Sequence, residues 1–357
     1  MNIHELELHY PWGDALPGAS EIVQVAPGVF WIRMELPFVL NHINLWLLQD
    51  ELEGTPGWTV VDCCIDRAES RAQWEALFSQ AMRALPIVRV IVTHMHPDHL
   101  GLAHWLCKRF DVPLWISATD YYTARIASLG THHFGGDGAA EFFARNGLRD
   151  EAALQEVRQR QKYYTGLVPD LPPDFRRLLD GHRLQIGGRT WHTISGYGHA
   201  PEHMSLHCPE LDLLISGDMV LPRISTNVSV YNSEPDANPL TLFLQSIDRF
   251  IELPESTLVL PSHGKPFTGL HTRIRQLHDH HRERLDEVIH ACWQKPCSAA
   301  DVLPVLFKRT LDLHQTTFAL GESVAHLHAL WHDGILVRQR DADGVLRFSP
   351  SAAATRP

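Results

Sequence analysis

One short segment of the sequence concentrates the residue types that can do chemistry. Residues 93–99 read THMHPDH, which places three imidazoles and one carboxylate within six positions. The run IVRVIVT leads into it and indicates a buried strand, so the segment begins at the mouth of that strand. A loop there lets His94 and His96 point one way and Asp98 and His99 another, and two neighbouring metal ions could share it. Such nitrogen and oxygen ligands suit zinc, iron or manganese; the alternative is a surface cluster of histidines.

Four further motifs contain acids or imidazoles and follow one another along the chain. Asp62 closes the apolar run WTVVD, His199 lies in GYGHAPEHMSL, Asp218 ends LLISGD and His263 lies in LPSHG. Together with the HxHxDH segment they resemble the five ordered signatures of the metallo-β-lactamase fold superfamily, over residues 62–263. The His199 loop departs from the family's GHTPG-type motif, since Glu-His stands in place of the final glycine.

The resemblance implies a centre for two divalent metal ions, with zinc expected and iron or manganese as alternatives. For the first ion the implied ligands are His94, His96 and His199. For the second ion they are Asp98, His99 and His263. Asp218 would bridge both ions. Asp62 would orient a ligand through a hydrogen bond rather than bind metal, and the alternative for Asp62 is a strand-capping acid.

The chemistry that such a centre implies is hydrolysis. Two divalent ions lower the pKa of a shared water, so that hydroxide is available at neutral pH. The metal-bound hydroxide would attack a carbonyl polarised by one metal, and the metals would stabilise the developing oxyanion. Asp98 would be the catalytic residue that orients the attacking water or accepts its proton.

Two residues narrow the class of hydrolase. Asp218 disfavours an antibiotic target, because the β-lactamases most similar to HxHxDH enzymes generally lack the bridging acid. Leu221 stands where acyl-homoserine lactonases of the superfamily carry a tyrosine. The remaining resemblance is to hydroxyacylglutathione hydrolases of the glyoxalase II type and to β-lactamase-like hydrolases with a C-terminal winged helix. We therefore expect a small-molecule thioester or related activated ester as the substrate.

Two other classes of function stay open. Related hydrolases with this C-terminal appendage include nucleases that act on single-stranded RNA, so a metal-dependent nuclease is the second hypothesis. Residues 298–357 contain six basic and six acidic residues, and the helix TTFALGESVAHLHALWHD has no lysine or arginine, so we expect no nucleic acid partner. The third hypothesis is a non-catalytic metal-binding regulatory module.

The elements that must position these residues alternate in an α/β pattern. The resemblance implies a four-layer αββα sandwich as the catalytic domain, over residues 1–268, and residues 67–84 have the spacing of one of its helices. A helical stretch at about 119–180 interrupts the strand pattern, either as a lid or as an ordinary surface subdomain. Residues 269–357 predict a helical domain, in which two helices and a hairpin at Asp343-Gly344 suggest a winged-helix-like module.

Some residues outside the ligand motifs could line a substrate pocket. His42 lies in a segment that in this fold commonly approaches the metals. Phe134 and Tyr164 lie in the inserted stretch and could face substrate, and Asn227 follows the bridging acid along the chain. For each of them, ordinary packing is the alternative. His203 is expected to support its turn rather than to bind metal.

Composition excludes several classes of protein. Hydrophobic residues make up 44% and charged residues 20%, a globular balance that rules out disorder as the dominant state. The 31 basic and 42 acidic residues give a formal net charge of −11, which argues against a general binder of nucleic acid or anionic membranes. No signal peptide, membrane span or secreted disulfide framework is visible, so we expect a cytoplasmic protein, in which the C-terminal module could form a homodimer. The 24 histidines are many, and they hint at metal binding.

Overall fold

The computed structural model describes residues 3–82, 85–129, 135–311 and 313–354. The chain forms two compact units, each made of three stretches of sequence. The first unit comprises Met1–Leu129, Tyr164–Thr226 and Ile247–Ile274, and the second comprises Gly130–Tyr163, Asn227–Ser246 and Arg275–Pro357. The domain boundary between residues 268 and 269 stays a prediction.

The larger sheet of the first unit has seven strands. In sheet order they are β1 Val23–Ala26, β2 Val29–Glu35, β3 His42–Leu52, β4 Thr55–Val61, β5 Ile87–Ile91, β6 Leu114–Ser117 and β7 Arg176–Leu178. The strands β1 to β4 are antiparallel to one another, whereas β4, β5, β6 and β7 are parallel. All residues of β5, which reads IVRVI, are buried, as expected for a central parallel strand.

The smaller sheet of the first unit has five strands in the order β12-β11-β10-β9-β8. Their bounds are β8 Arg183–Ile186, β9 Arg189–Gly196, β10 His203–Cys208, β11 Leu213–Gly217 and β12 Leu258–Pro261. Side chains from both sheets form one buried cluster that includes Trp31, Trp46, Trp191, Met204 and Ile215. The two sheets therefore share a hydrophobic core, and the predicted αββα sandwich is confirmed.

The described residues form eleven α-helices. They are α1 Ala68–Gln80, α2 Pro97–Leu100, α3 Ala103–Phe110, α4 Ala118–Ser128, α5 Asp137–Arg145, α6 Glu151–Gln159, α7 Tyr163–Leu167, α8 Pro239–Asp248, α9 Leu270–Gln294, α10 Ala299–Leu306 and α11 Leu313–His332. Helices α1, α3 and α4 pack against the larger sheet. In the described part of the chain, no helix has both the length and the apolar character needed to cross a membrane.

The stretch at about 119–180, predicted as a helical insertion, contains helices and one strand. Helices α4 to α7 occur there, but β7 pairs with β6 and extends the larger sheet. The two ends of this stretch belong to the first unit, and residues 130–163 belong to the second. The helices of the predicted insertion are present, and its approximate end at residue 180 includes β7, where the chain rejoins the larger sheet. A lid function stays a prediction.

Within the second unit, the predicted C-terminal helices and hairpin are present. Helix α10 begins with a capping box formed by Ser298 and Asp301. After α11, the strands β13 Leu336–Arg340 and β14 Leu346–Pro350 pair antiparallel. Gly344 has a φ of 79° in the turn between them, a conformation that favours glycine. The C-terminal helical domain is thereby confirmed, and its description as a winged helix stays a prediction.

Candidate metal centre

Asp62 and Thr93 lie side by side because the parallel strands β4 and β5 end at the same edge of the larger sheet. The backbone N–H of Asp62 donates to Ile91 O at 2.9 Å, and the backbone N–H of Thr93 donates to Asp62 Oδ1 at 2.8 Å. Asp62 has a φ of 64°, a left-handed conformation that costs free energy in a residue with a side chain. This turn directs the carboxylate toward the loop that follows β5.

The Asp62 carboxylate orients His99. Asp62 Oδ2 lies 2.7 Å from His99 Nδ1, and both side chains are buried. A ring that donates from Nδ1 turns Nε2 toward the other candidate ligands. Burial lowers the pKa of His99, but Asp62, Asp98 and Asp218 outweigh burial and raise it well above its ordinary value. The surroundings of His99 therefore favour positive charge, and the hydrogen bond matches the role expected of Asp62.

His94, His96 and His199 converge on one point. His94 Nε2 lies 2.9 Å from His96 Nδ1 and 3.2 Å from His199 Nε2. Burial, reinforced by the neighbouring imidazoles, lowers the pKa of His94 and of His96 well below the ordinary value. A neutral imidazole has one N–H and one lone pair, so nitrogens this close to one another can offer lone pairs to a metal ion. The structure thus brings the first predicted set together.

Asp98, His99 and His263 form the second set, and Asp218 lies between the two sets. His263 Nε2 lies 3.4 Å from Asp98 Oδ2, and His99 Nε2 lies 3.8 Å from the same oxygen. Asp218 Oδ1 lies 3.5 Å from His263 Nε2 and 3.6 Å from His99 Nε2. Asp218 Oδ2 instead lies 3.3 Å from His199 Nε2. One carboxylate oxygen therefore faces each set, as expected of a bridging ligand.

These residues include groups whose chemistry and spacing fit a bound metal ion. Within the described ranges, the groups that could hold an ion are His94 with His96 and His199, His94 with His99 and Asp218, and Asp98 with His99 and His263. In each group the ligand atoms lie within 4.8 Å of one another. His99 Nε2 and Asp218 Oδ1 are buried and have no hydrogen-bond partner among the residues described. Buried polar atoms without partners are costly, and a cation between them would remove that cost.

The backbone around Asp218 is held by two side chains. His203, the first residue of β10, is fully buried, and its Nε2 accepts from the backbone N–H of Asp218 at 3.2 Å. Gly217 has a φ of 55°, and a Cβ there would meet the His203 ring. Thr226 Oγ1 donates to the carbonyl of Asp218. The structure thus gives His203 a supporting role, through the backbone of the bridging acid.

His263 is held by the beginning of β3. Its Nδ1 donates to the carbonyl of His42 at 2.7 Å, which leaves Nε2 for the carboxylates. His42 Nε2 accepts from the backbone N–H of Gly264 at 2.8 Å. Burial, with Arg33 and His263, lowers the pKa of His42 to about 3, so the ring is a neutral acceptor. His42 therefore supports a candidate ligand, and its predicted contact with substrate stays a prediction.

The other predicted pocket residues have different positions. Phe134 lies outside the described residues. Tyr164 is fully buried, and its hydroxyl donates to Met95 O at 2.7 Å. Its contact with substrate stays a prediction. Asn227 belongs to the second unit, where its amide donates to Glu322 Oε2 at 3.0 Å. Its contact with substrate stays a prediction.

Sequence reasoning missed Asp120. The Asp120 carboxylate is fully buried and accepts from the backbone N–H groups of Met95 and Glu202, at 2.8 and 2.7 Å. Burial raises the pKa of Asp120 to about 6. The sequence does contain a local signal, since Ser117 and Asp120 have the spacing of a helix start, and Ser117 caps α4. That signal predicts a helix and says nothing of contacts to the ligand loops.

Comparison with known proteins assigns the chain to a family. Residues 40–263 match the family model described as the metallo-beta-lactamase superfamily. The chain belongs to the metallo-β-lactamase superfamily. Residues 285–351 match a second model, described as the metallo-beta-lactamase-like, C-terminal domain. The predicted family is thereby confirmed, and the chain is a superfamily hydrolase.

Similar proteins match most of the chain. A beta-lactamase domain protein from Burkholderia ambifaria has a crystal structure with a TM-score of 0.93 and 51% identity, over 98% of this chain and 100% of that chain. The probable metallo-hydrolase YqjP of Bacillus subtilis is 24% identical over 310 residues, which is 85% of this chain and 92% of YqjP. The acyl-coenzyme A thioesterase MBLAC2 of Gallus gallus is 25% identical over 250 residues, which is 67% of this chain and 79% of MBLAC2.

Proposed function

We propose that the protein is a binuclear metal-dependent hydrolase that cleaves a small-molecule thioester or a related activated ester. The observation that carries the proposal is the position of Asp218, whose two oxygens face two separate sets of candidate ligands. A carboxylate placed in this way would hold two ions close together, as hydrolysis with a shared water requires.

The residues that would hold the ions are those of the two sets. The first ion would take His94, His96 and His199, the second would take Asp98, His99 and His263, and both would share Asp218. When bound, two divalent ions, expected to be zinc, supply Lewis-acid activation of a carbonyl oxygen and of a water. Asp62 would hold the His99 ring in its orientation through a hydrogen bond.

Asp98 is the carboxylate best placed to contact and orient a water. Its side chain is 20% exposed, against 9% for Asp218 and 1% for Asp62. Burial raises the pKa of Asp98, but His99 and His263 outweigh burial and lower it to about 2. Its carboxylate is therefore ionised at neutral pH and can accept a hydrogen bond from a neighbouring water, which would orient that water for attack.

The carboxylates also favour a substrate with a good leaving group. The pKa of Asp98 is lowered to about 2 and that of Asp218 is lowered well below its ordinary value, so neither carries a proton to donate at neutral pH. A thiolate leaves without prior protonation, because a thiol has a pKa of about 8.5. The relative MBLAC2, whose name specifies an acyl-coenzyme A thioesterase, supports the same substrate class.

Metal analysis combined with a substrate panel tests the proposal. Protein prepared without chelators is analysed for bound metal and then assayed with acyl-coenzyme A and acylglutathione thioesters, lactones, phosphodiesters and labelled single-stranded RNA. We expect about two divalent ions per chain, as a bridging carboxylate implies, and turnover of thioesters that a chelator abolishes and added zinc restores.

Three outcomes would overturn the proposal in different ways. RNA cleavage without thioester turnover would favour a nuclease. Two bound ions with no turnover of any substrate would favour a regulatory module. A single bound ion would contradict the binuclear centre.

A homodimer is a further proposal, and light scattering of the purified protein tests it.

A further inference from the structure

The backbone of Met95 is held on both sides by buried side chains. Met95 stands between the candidate ligands His94 and His96. Its N–H donates to Asp120 Oδ1 at 2.8 Å, and its carbonyl accepts from the Tyr164 hydroxyl at 2.7 Å. Met95, Asp120 and Tyr164 are all fully buried, so water does not compete for these two hydrogen bonds. The backbone between the two histidines therefore has little freedom to rotate.

Asp120 also reaches the loop that carries the third histidine of the first set. Its Oδ2 accepts from the backbone N–H of Glu202 at 2.7 Å, three residues after His199. One carboxylate thus bonds to two segments that lie about a hundred residues apart in the sequence. An asparagine could not replace it, because an amide offers one oxygen, and its NH₂ group would face the second N–H.

Asp120 and Tyr164 come from helices α4 and α7, at the two ends of the stretch interpreted as an insertion. Both residues belong to the same compact unit as the centre. Neither residue contributes an atom to the groups that could hold a metal ion among the residues described. Their hydrogen bonds act on the backbone that carries the ligands, and outer groups of this kind tune metal affinity in proteins.

We propose that Asp120 and Tyr164 are positioning residues of the metal centre. Through Met95 they set the spacing of His94 and His96, and Asp120 also sets the distance from these ligands to the His199 loop. This inference rests on the metal centre of the proposed function, but it does not depend on which substrate is hydrolysed.

Two phenol-to-phenyl variants form a matched test. Tyr164→Phe removes the hydrogen bond to Met95 O. Tyr121→Phe is the control, because the Tyr121 hydroxyl is also buried and donates to a backbone carbonyl, that of Pro172, at 2.8 Å. Tyr121→Phe also removes the hydrogen bond that this hydroxyl accepts from Arg125 Nε at 3.1 Å, so it should lower the melting temperature at least as much as Tyr164→Phe. Only Tyr164→Phe should weaken the binding of one metal ion, by about three- to tenfold.

Asp120→Asn is the stronger variant. We expect it to weaken binding of the ion held by the first set by about 10- to 100-fold. Titration of the metal-free protein with Co²⁺ measures this effect directly, since the visible absorption bands of cobalt report both affinity and ligand geometry. If a substrate is in hand, kcat should fall while KM changes little, because the ligand loop and not the substrate contact is altered.

The titration keeps this inference separate from the proposed function. If the wild-type protein binds two ions and hydrolyses no thioester, the proposed function fails and the metal titration still decides the role of these residues. If Tyr164→Phe and Tyr121→Phe bind metal alike, and Asp120→Asn binds both ions with wild-type affinity and an unchanged cobalt spectrum, the positioning role is wrong. Should Asp120→Asn not fold, the comparison of the two phenylalanine variants decides alone.

Discussion

Histidines occur in both compact units, but their partners differ. In the first unit His99, His199 and His263 face carboxylates, as His263 Nε2 does at 3.5 Å from Asp218 Oδ1. In the second unit His326, His328 and His332 of α11 face backbone carbonyls. His328 donates from Nδ1 to Ala237 O at 2.9 Å, and His326 donates to a carbonyl one turn earlier on its own helix. A carboxylate next to the ring therefore distinguishes these three candidate ligands from the histidines of α11.

The titration of the two regions differs in the same way. Burial lowers the pKa of His263, but Asp218 and Asp98 outweigh burial and raise it to about 10, whereas burial lowers the pKa of His328 to about 4. The pKa values of the carboxyl groups differ in the opposite direction. Burial raises the pKa of Asp218, yet His263 and His99 bring it well below its ordinary value, while burial raises the pKa of Glu322 to about 7. Opposite charges stabilise each other at His263 and Asp218, whereas burial disfavours the charged forms of His328 and Glu322.

The largest effect is expected from Asp218→Asn. The amide keeps the shape of the side chain but loses the charge that faces both sets of histidines. Loss of outer partners costs a metal site roughly 10- to 100-fold, so loss of a shared ligand should cost more than about 100-fold in kcat/KM. Metal analysis should show fewer than two ions per chain. Two retained ions with wild-type turnover would remove Asp218 from the centre.

A smaller effect in the same region is expected from Asp62→Asn. The change weakens the 2.7 Å contact to His99 Nδ1, so the ring is held less firmly. We expect metal affinity and kcat/KM to fall by about 10- to 100-fold, measured by zinc titration and initial rates. Wild-type affinity in a folded variant would mean that Asp62 only caps its strand.

In the second unit, Glu322→Gln should alter the pH dependence of stability. The folded-state pKa of Glu322 is raised from 4.5 to about 7, so the stability that it contributes is present below pH 4.5 and is lost as the pH rises toward 7. This loss of stability should be about 2 kcal/mol, which is less than the full pKa shift implies, because residue 322 is only partly buried and solvent screens its charge. Urea unfolding between pH 4.5 and 8 should show a flatter profile for the variant. An identical profile for both proteins would mean that groups other than Glu322 cause the pH dependence of stability.

The smallest effect is expected from His328→Gln. Its ring donates to Ala237 O, and losing that hydrogen bond should lower the free energy of unfolding by about 1 kcal/mol. The variant should still bind two metal ions and keep its hydrolytic activity. A fall in metal content would contradict the distinction between the two groups of histidines.

The sequence was informative where chemistry is local. His94, His96, Asp98 and His99 lie in one short loop, so their types and spacing alone predict ligands that point to two neighbouring ions. The run IVRVIVT likewise predicts the buried strand that ends at this loop, and β5 confirms it. In the stretch at about 119–180, local pattern predicts helices but not the return of the chain to the sheet as β7. Whether a segment pairs with the edge of a sheet depends on a strand far away in the sequence, so the local pattern of residues does not predict it.

By itself, the sequence determined the family, the α/β class and the residues expected to bind metal, because the motifs and their order are visible directly in the sequence. The tertiary structure decided how these residues are used. It placed one oxygen of Asp218 against each set of ligands, and it placed the Tyr164 hydroxyl against the backbone of the ligand loop. It also showed that Asp120 joins two ligand loops. The physical reason is that a buried hydrogen bond depends on the positions of two atoms in space, and residue types along the chain do not specify those positions.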